Sequence, residues 1–308
     1  MRIAVIDLGT NTFNLLIAES DVFNGFEELY NEKLPVKLGE GGINIGLIAE
    51  AAFIRGIAAM ENYASVIEQH GAEKIMAFAT SAVRNASNGH EFVKLVKEKT
   101  GIDIQIISGD QEAEYISLGV RQAVELNEYP SLIIDIGGGS TEFIIVDNKG
   151  IIWKQSFEIG ASRLLQHFAP SDPISLEEQG LITDYLLKQL EPLWDAADKF
   201  KVTELIGASG SFESLAELIN MRFHSLPGLN HKTECEFNIE HCAAIHDEIL
   251  SSTRAQRLQM KGLIAMRVDL IVVSAILVET VVKKLDLDKI RYSSYALKEG
   301  VLWRFLNS

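Results

Sequence analysis

The chain contains 308 residues, of which 47% are hydrophobic and 23% are charged, so its composition is that of a globular protein rather than a disordered or fibrous one. Asp and Glu outnumber Lys and Arg by 43 to 28. The resulting net charge of −15 argues against proteins that wrap nucleic acid or dock on an anionic membrane, because both need a basic face. A chain of this length is expected to form about two domains.

Several features of the sequence indicate a cytoplasmic protein. The N-terminal run reaches Asp7 after a short apolar stretch, which is unlike the hydrophobic region of a signal peptide. The most apolar stretch, residues 262–282, contains charged side chains and therefore predicts a buried helix rather than a membrane span. Two cysteines, Cys235 and Cys242, do not provide a disulfide framework.

In chain order, one pattern occurs twice: an apolar run, an Asp, a glycine-bearing turn with hydroxyl residues, and a second apolar run. The two copies are IAVIDLGTNTFNLLI at residues 3–17 and LIIDIGGGSTEFII at residues 132–145, and each is typical of a β-hairpin. Elsewhere the periodicity predicts helices over residues 49–70, 88–99, 112–124, 162–168, 175–200 and 297–305, with a mostly helical region over 241–287. Strands are predicted over residues 74–79, 102–107 and 204–206, so the alternation favours an α/β fold with helices packed on mixed sheets.

Three glycine-rich turns are candidate phosphate-binding loops, since glycines let backbone N–H groups approach an anion closely. The candidate residues are Gly9, Thr10, Asn11 and Thr12; Gly137, Gly138, Gly139, Ser140 and Thr141; and Gly207, Ser209 and Gly210. The pattern is not a P-loop, which needs a following Lys, and not a dinucleotide fingerprint, which needs a following helix. Any one loop would be read as a tight turn, but two matching loops, each preceded by an Asp, favour phosphate binding.

Asp7 and Asp135 each precede one of the matching loops. A carboxylate at the mouth of a phosphate loop would repel its ligand unless a hard cation such as Mg²⁺ lay between them. The alternative is that each Asp caps its own turn. The occurrence of the pair favours a magnesium site.

The motifs, taken together, resemble the exopolyphosphatase/guanosine pentaphosphatase (Ppx/GppA) family, and the two hairpins resemble the phosphate loops of actin-like ATPases. Besides the hairpins, the resemblance rests on VKLGEGG at 36–42, ATSAVRNASN at 79–88, ISGDQEAEYISLGV at 107–120, EIGASRL at 158–164, IGASGS at 206–211, MRVDLIVVSAIL at 266–277 and YALKEGVL at 295–302. It implies two actin-like (ribonuclease H-like) domains, with mixed five-stranded-type sheets flanked by helices and the active site in the cleft between them. We expect domain I over residues 1–124 plus about 295–308, and domain II over 125–294.

The resemblance assigns Glu112 as the group that activates water and Arg84 as a phosphate clamp. Without it, Glu112 would be read as an acidic residue suited to the start of a helix, and Arg84 as a solvated loop residue. Gln111 departs from the family, which usually has a second Glu there. Lys298 departs as well, since the family often has Arg at that position.

Glu142 is implied to join Asp135 around the metal, against the alternative of an outward-facing strand residue. Arg267 is a weaker candidate for lining the cleft, and Lys37 matches a basic position in the family's first-domain motif. A zinc site is not predicted, although five potential ligands lie close together in the sequence, because the ligand pairs typical of structural zinc are absent. These five are His231, Cys235, His241, Cys242 and His246.

The resemblance implies a Mg²⁺-dependent phosphoanhydride hydrolase that releases terminal phosphate from polyphosphate or from guanosine pentaphosphate. Two alternatives stay open: an actin-like-fold small-molecule kinase, and a non-catalytic sensor of polyphosphate or a phosphate-rich alarmone. The charge of −15 favours a short or end-gripped substrate, and the basic stretch at residues 254–267 is read as a solvated helix face rather than a guide for it. The oligomeric state is left open, with a homodimer as one arrangement that would add a neighbouring subunit's charges.

Overall fold

The computed structural model describes residues 1–21, 25–224 and 232–307. In these residues the first sheet has five strands in the order β3-β2-β1-β4-β5. Its strands are β1 (Arg2–Leu8), β2 (Phe13–Asp21), β3 (Gly25–Leu34), β4 (Lys74–Ala79) and β5 (Ile104–Ile106). Strand β1 pairs antiparallel with β2 and parallel with β4, so the sheet is mixed.

The second sheet, counted over the same described ranges, has six strands in the order β10-β11-β9-β6-β7-β8. They are β6 (Ser131–Ile136), β7 (Thr141–Val146), β8 (Ile151–Phe157), β9 (Glu204–Ala208), β10 (Glu234–Phe237) and β11 (Ile290–Ser293). The antiparallel β6–β7 pair and the parallel β6–β9 pair make this sheet mixed as well. Two mixed sheets flanked by helices confirm the predicted fold class.

The helices that cover these sheets are α1 (Glu50–Gln69), α2 (Ser81–Arg84), α3 (Gly89–Thr100), α4 (Gly109–Ala123), α5 (Ala161–Phe168), α6 (Leu176–Gln189), α7 (Glu191–Phe200), α8 (Ser209–Ile219), α9 (Ile239–Ser251), α10 (Arg254–Arg257), α11 (Leu270–Leu285) and α12 (Leu297–Leu306). The apolar stretch predicted to be a buried helix forms most of α11. No helix in the described part of the chain is long and apolar enough to cross a membrane.

Both predicted hairpins form, and their strands pair in the same register. In the first hairpin Asp7 lies opposite Asn14, and in the second Asp135 lies opposite Glu142. Each Asp therefore has a polar residue directly across the strand pair, seven positions later in the sequence.

Helices α4 and α12 pack against each other between the two sheets. A Cβ atom at Gly119 would collide with the carbonyl oxygen of Ala296, and one at Gly300 with that of Tyr115, so the two helices are in close backbone contact. Apolar side chains of both helices and of both sheets form one buried cluster around this pair. Helix α12 also contacts β1, although the domain boundaries proposed from the sequence stay a prediction.

The sequence patterns did not predict a helix break at Leu190 or four of the strands. The helix predicted over residues 175–200 is two helices that part at Leu190, where Pro192 follows as a helix-start residue. Strands β3, β8, β10 and β11 were not predicted, because their apolar alternation is weak or they are very short. Strand β11 nevertheless lies inside the second sheet, between β9 and β10.

Candidate active site

A cavity of about 480 Å³ opens between the two sheets and is lined by both hairpin turns, the start of α4, the start of α8 and the start of α12. Its cationic lining residues are Lys33, Lys232, Arg267 and Lys298, and its acidic ones are Asp7, Glu28, Glu112, Asp135, Glu213 and Glu299. The cavity thus collects residues that are far apart in the sequence and brings Asp7, Glu112 and Asp135, but not Glu142, around one space.

The first hairpin turn is tight, and a backbone hydrogen bond from Lys37 holds it in place. The backbone N–H of Gly9 donates to the Thr12 carbonyl at 3.1 Å, and a Cβ at Gly9 would lie 2.7 Å from that oxygen. Lys37 donates its backbone N–H to the Asn11 carbonyl at 2.8 Å. The Lys37 side chain is exposed, so this residue supports the loop through its backbone rather than by contacting the cavity.

The second hairpin turn repeats this geometry but is anchored by the start of α5. A Cβ at Gly137 would lie 2.9 Å from the carbonyl oxygen of Ser140, three residues on, as at Gly9. The backbone N–H groups of Ala161 and Ser162 donate at 2.9 Å to the carbonyls of Gly137 and Gly138. The hydroxyl of Thr141 donates to the Ile159 carbonyl at 3.3 Å, so it serves the turn from the side away from the cavity.

The two turns contact each other across the cleft. A Cβ at Gly138 would lie 2.6 Å from Nδ2 of Asn11, and one at Gly139 would lie 2.7 Å from the hydroxyl of Thr10. The Ser162 hydroxyl donates to Oδ1 of Asn11 at 2.5 Å. Side chains at the two glycines would push the loops apart, so the sequence of the second turn is suited to close approach.

The third glycine-rich segment has a mixed role. Gly207 leaves room for the ring of Phe212, which is a packing reason for glycine. Gly210 lies directly under the guanidinium of Arg267, and both residues line the cavity. Ser209 has a left-handed backbone (φ 63°) and donates its hydroxyl to Oδ2 of Asp135 at 2.6 Å, which ties this segment to the second hairpin.

Of the two hairpin aspartates, Asp135 is buried and Asp7 is partly buried, and neither carboxylate is fully compensated by its neighbours. Asp7 accepts a hydrogen bond from Asn14 at 2.9 Å, yet burial raises its pKa to about 7 despite the opposing effects of Asn14 and Lys298. Burial raises the pKa of Asp135 to about 6, against hydrogen bonding by Ser209 and the charge of Arg267. The charge of Asp135 also raises the pKa of Asp7, so the pair would gain from a bound cation.

Asp7 and Asp135 offer carboxylate oxygens of the kind that a hard cation binds, and the remaining ligands of such a cation would be water or phosphate oxygens. Among the residues that the structure describes, no three His, Cys, Asp or Glu side chains group closely enough to hold an ion by themselves. The predicted trio of Asp7, Asp135 and Glu142 is therefore not one ready-made cluster. Two carboxylates with water and phosphate oxygens are nevertheless a common way to bind Mg²⁺, which keeps much of its hydration.

The cysteine- and histidine-rich segment has ordinary contacts instead. His241 stacks on Phe223 with ring centroids 3.8 Å apart, and Nε2 of His246 lies 3.2 Å from a Glu279 carboxylate oxygen. Burial raises the pKa of the thiol of Cys242 to about 12, which makes it a poor nucleophile or ligand. His231 lies outside the described residues.

Glu112 lies in the first turn of α4, lines the cavity and is 8% exposed. Burial and the charge of Glu142 raise its pKa well above that of an ordinary Glu, against the charge and hydrogen bond of Arg84. Gln111 closes a capping box with Ser108: the Ser108 N–H donates to the Gln111 side chain at 3.0 Å, and the Gln111 N–H to the Ser108 hydroxyl at 3.2 Å. Glutamine and glutamate can both fill this capping position, so Gln111 has a structural role at the start of α4.

Arg84 lies at the end of α2 and contacts Glu112 directly. Its Nη1 donates to Oε2 of Glu112 at 2.8 Å and to the Ile107 carbonyl at 3.1 Å. Its Nη2 lies 3.7 Å from the Glu158 carboxylate and has no hydrogen-bond partner in the described chain. Arg84 thus holds Glu112 through Nη1 and is not among the residues that line the cavity, so its contact with phosphate stays a prediction.

Glu142 is interior, at 1% exposure, rather than facing outward. Its Oε1 accepts a hydrogen bond from Ser156 at 2.6 Å. Burial and the charge of Asp135 raise its pKa, and it lies behind Glu112 rather than among the cavity-lining residues.

The site contains residues that the sequence argument did not assign. Lys298, at the start of α12, lines the cavity and donates to Oδ1 of Asn31 at 3.0 Å. Glu158 accepts hydrogen bonds from Ser81 at 3.0 Å and from Arg163 at 2.6 Å, behind Arg84. These contacts have no local sequence signal. Asn14 is different, because the repeated hairpin pattern identifies it: Asn14 follows Asp7 by seven positions, as Glu142 follows Asp135.

Comparison with known proteins agrees with this geometry. A model of the Ppx/GppA phosphatase family matches residues 16–308. Exopolyphosphatase 1 of Mycobacterium tuberculosis is 29% identical over 311 residues, covering 100% of this chain and 89% of that protein.

Solved structures match along the whole chain as well. The crystal structure of an exopolyphosphatase from Cytophaga hutchinsonii has a TM-score of 0.96 and 39% identity, with 100% of this chain and 98% of that one covered. A Ppx/GppA family member from Aquifex aeolicus has a TM-score of 0.81 at 23% identity, with 100% and 98% coverage. The fold is therefore the actin-like α/β fold.

Proposed function

Because the chain belongs to the Ppx/GppA phosphatase family, we propose that it releases terminal phosphate from inorganic polyphosphate or from guanosine pentaphosphate. The observation that carries this proposal is the buried Glu112, which lines a cavity where two glycine turns meet and forms an ion pair with Arg84. The similarity to exopolyphosphatases supports polyphosphate as the first substrate to test.

The proposed reaction is hydrolysis of a phosphoanhydride bond. A water oxygen bonds to the terminal phosphorus, the bond from that phosphorus to the bridging oxygen breaks, and the bridging oxygen leaves with the electron pair on the shortened chain. Glu112 accepts the proton of the attacking water, for which it must be ionised. The ion pair with Arg84 favours that ionised form against the raising effect of burial.

The proposal includes a divalent cation such as Mg²⁺, held by Asp7 and Asp135. When bound, the cation would neutralise charge on the terminal phosphate. Arg267 and Lys298 line the same cavity and would add positive charge to an otherwise acidic protein. The backbone of the two glycine turns would enclose the phosphate and exclude bulk water.

The decisive variant is Glu112→Gln, assayed by phosphate release from polyphosphate and from guanosine pentaphosphate in parallel. We expect kcat to fall by about 10² or more, the usual weight of a general base, with KM changed much less. The matched control is Glu114→Gln on the same helix, where the carboxylate pairs with Lys154 at the surface, and it should retain activity.

Near-wild-type turnover by Glu112→Gln would remove this residue from the mechanism. Tight binding of either compound by the wild-type protein without any phosphate release would instead favour a sensor.

A further inference from the structure

An ion pair crosses the mouth of the cavity. Lys33 belongs to β3 of the first sheet and Glu213 to α8 on the second, and Nζ of Lys33 lies 2.6 and 2.8 Å from the two carboxylate oxygens. Both residues line the cavity, and their side chains are 38% and 37% exposed. The pair therefore lies at the boundary between cavity and solvent and joins the two walls of the cleft.

The cleft is also fastened on the side of α5. Nη1 of Arg163 donates to the Ile43 carbonyl at 2.9 Å, and Nε2 of Gln166 donates to the Gly39 carbonyl at 3.2 Å. These contacts join the two halves of the molecule on a second side, away from the residues that line the cavity.

The basic stretch at residues 254–267 does not continue the cavity as a cationic track. Arg254 pairs with Asp269 at 2.8 Å, and the buried Arg257 pairs with Asp172 at 2.9 Å. These arginines hold the second half of the molecule together, and their charges are already compensated. A long polyanion would thus meet little unpaired positive charge from this stretch beyond the cavity.

We propose that the Lys33–Glu213 ion pair limits the substrate to short, end-gripped oligophosphates, with Lys33 and Glu213 as the residues that determine chain length. This inference rests on the proposed phosphoanhydride hydrolysis and concerns only which chains reach the site. The cavity receives the terminal phosphates, and the ion pair stands where the following units of a long chain would have to pass.

The first test measures phosphate release by the wild-type protein with Mg²⁺ from inorganic triphosphate and from polyphosphate of several hundred units, at equal concentrations of chain ends. We expect kcat/KM per chain end to be at least about tenfold higher for triphosphate. Equal values for the two lengths would overturn this inference while leaving the proposed function intact. Absence of release from both, together with none from guanosine pentaphosphate, would overturn the proposed function as well.

The second test uses Lys33→Ala. This variant loses a cation and also loses the ion pair, and the two losses change the use of long chains in opposite directions. Loss of a cation should weaken the use of every polyanion, whereas loss of the ion pair should open the mouth to long chains. We expect kcat/KM on the long chain to rise relative to triphosphate by about tenfold. The control is Lys99→Ala, which breaks a similarly exposed pair with Glu61 at 2.9 Å away from the cavity.

An equal fall on both lengths in Lys33→Ala, or the same change of ratio in Lys99→Ala, would contradict the role of the ion pair.

Discussion

The two β-hairpins share one register, yet they differ in the residue that faces the Asp. Asp7 lies opposite Asn14, which donates a hydrogen bond to it. Asp135 lies opposite Glu142, so two buried carboxyl groups face each other across the strand pair. Ionisation of both would place like charges directly opposite each other, and the charge of Asp135 accordingly raises the pKa of Glu142, whereas Asp7 faces a neutral amide.

The second hairpin is coupled to the proposed base, which lies in the first half of the molecule. Glu142 raises the pKa of Glu112, which pairs with Arg84. The first hairpin contributes one carboxylate, which accepts a hydrogen bond from Asn14, whereas the second contributes two carboxyl groups, of which Glu142 raises the pKa of the proposed base. Carboxyl groups that raise one another's pKa values are typical of functional sites.

Among changes to the two hairpins, we expect Glu142→Gln to have the greatest effect, because it places a neutral side chain opposite Asp135. Removing the negative charge lowers the pKa of Glu112, so we expect the acid limb of the pH–rate profile to move to lower pH. A weaker base should also reduce kcat by about tenfold. Phosphate release across a pH series measures both effects.

Ser156→Ala serves as the comparison for that variant, because it removes the hydrogen bond but keeps the carboxylate, and its acid limb should move little. If Glu142→Gln left the acid limb in place and raised the Mg²⁺ concentration needed for half-maximal rate, Glu142 would instead be a metal ligand.

An intermediate effect is expected when the first hairpin is made to resemble the second. In Asn14→Asp the hydrogen bond to Asp7 is replaced by a second buried carboxylate. We expect the free energy of unfolding at neutral pH without divalent cations to fall by about 1–3 kcal/mol. Urea unfolding in EDTA measures it, with Asn148→Asp in an exposed turn as the control. Unchanged stability of Asn14→Asp would show that the cross-strand pair tolerates either partner.

The smallest effect is a pH dependence of stability in EDTA. Folding raises the pKa of Asp7 to about 7 and that of Asp135 to about 6, from the ordinary Asp value of 3.8. Between the ordinary and the raised pKa values, the folded chain therefore binds more protons than the unfolded chain. Its free energy of unfolding should therefore fall, by on the order of 1 kcal/mol, as the pH rises from about 5 to about 7.5. Urea midpoints at the two pH values test this, and Asp7→Asn should reduce the slope. A midpoint that increases with pH would contradict the assignment.

Much of the fold was predictable because its signals are local. Alternating apolar runs around an Asp and a glycine turn identified both hairpins, and helical periodicity identified α1, α3 and α4. Strand β11 was missed, because its four residues gain their position only from pairing with β9 and β10. Gly207 was assigned to phosphate, whereas its environment gives glycine a packing role against Phe212.

Local sequence patterns specify the alternation of strands and helices, the two Asp–glycine turns and the position of Glu112 at a helix start, since each depends on neighbours within a few residues. Three contacts arise from the packing of distant segments instead: Arg84 holds Glu112, Lys298 reaches the cavity, and Lys33 meets Glu213 across its mouth. These contacts join residues separated by tens to hundreds of positions. Their geometry follows from how two sheets pack on α4 and α12, which no local pattern encodes.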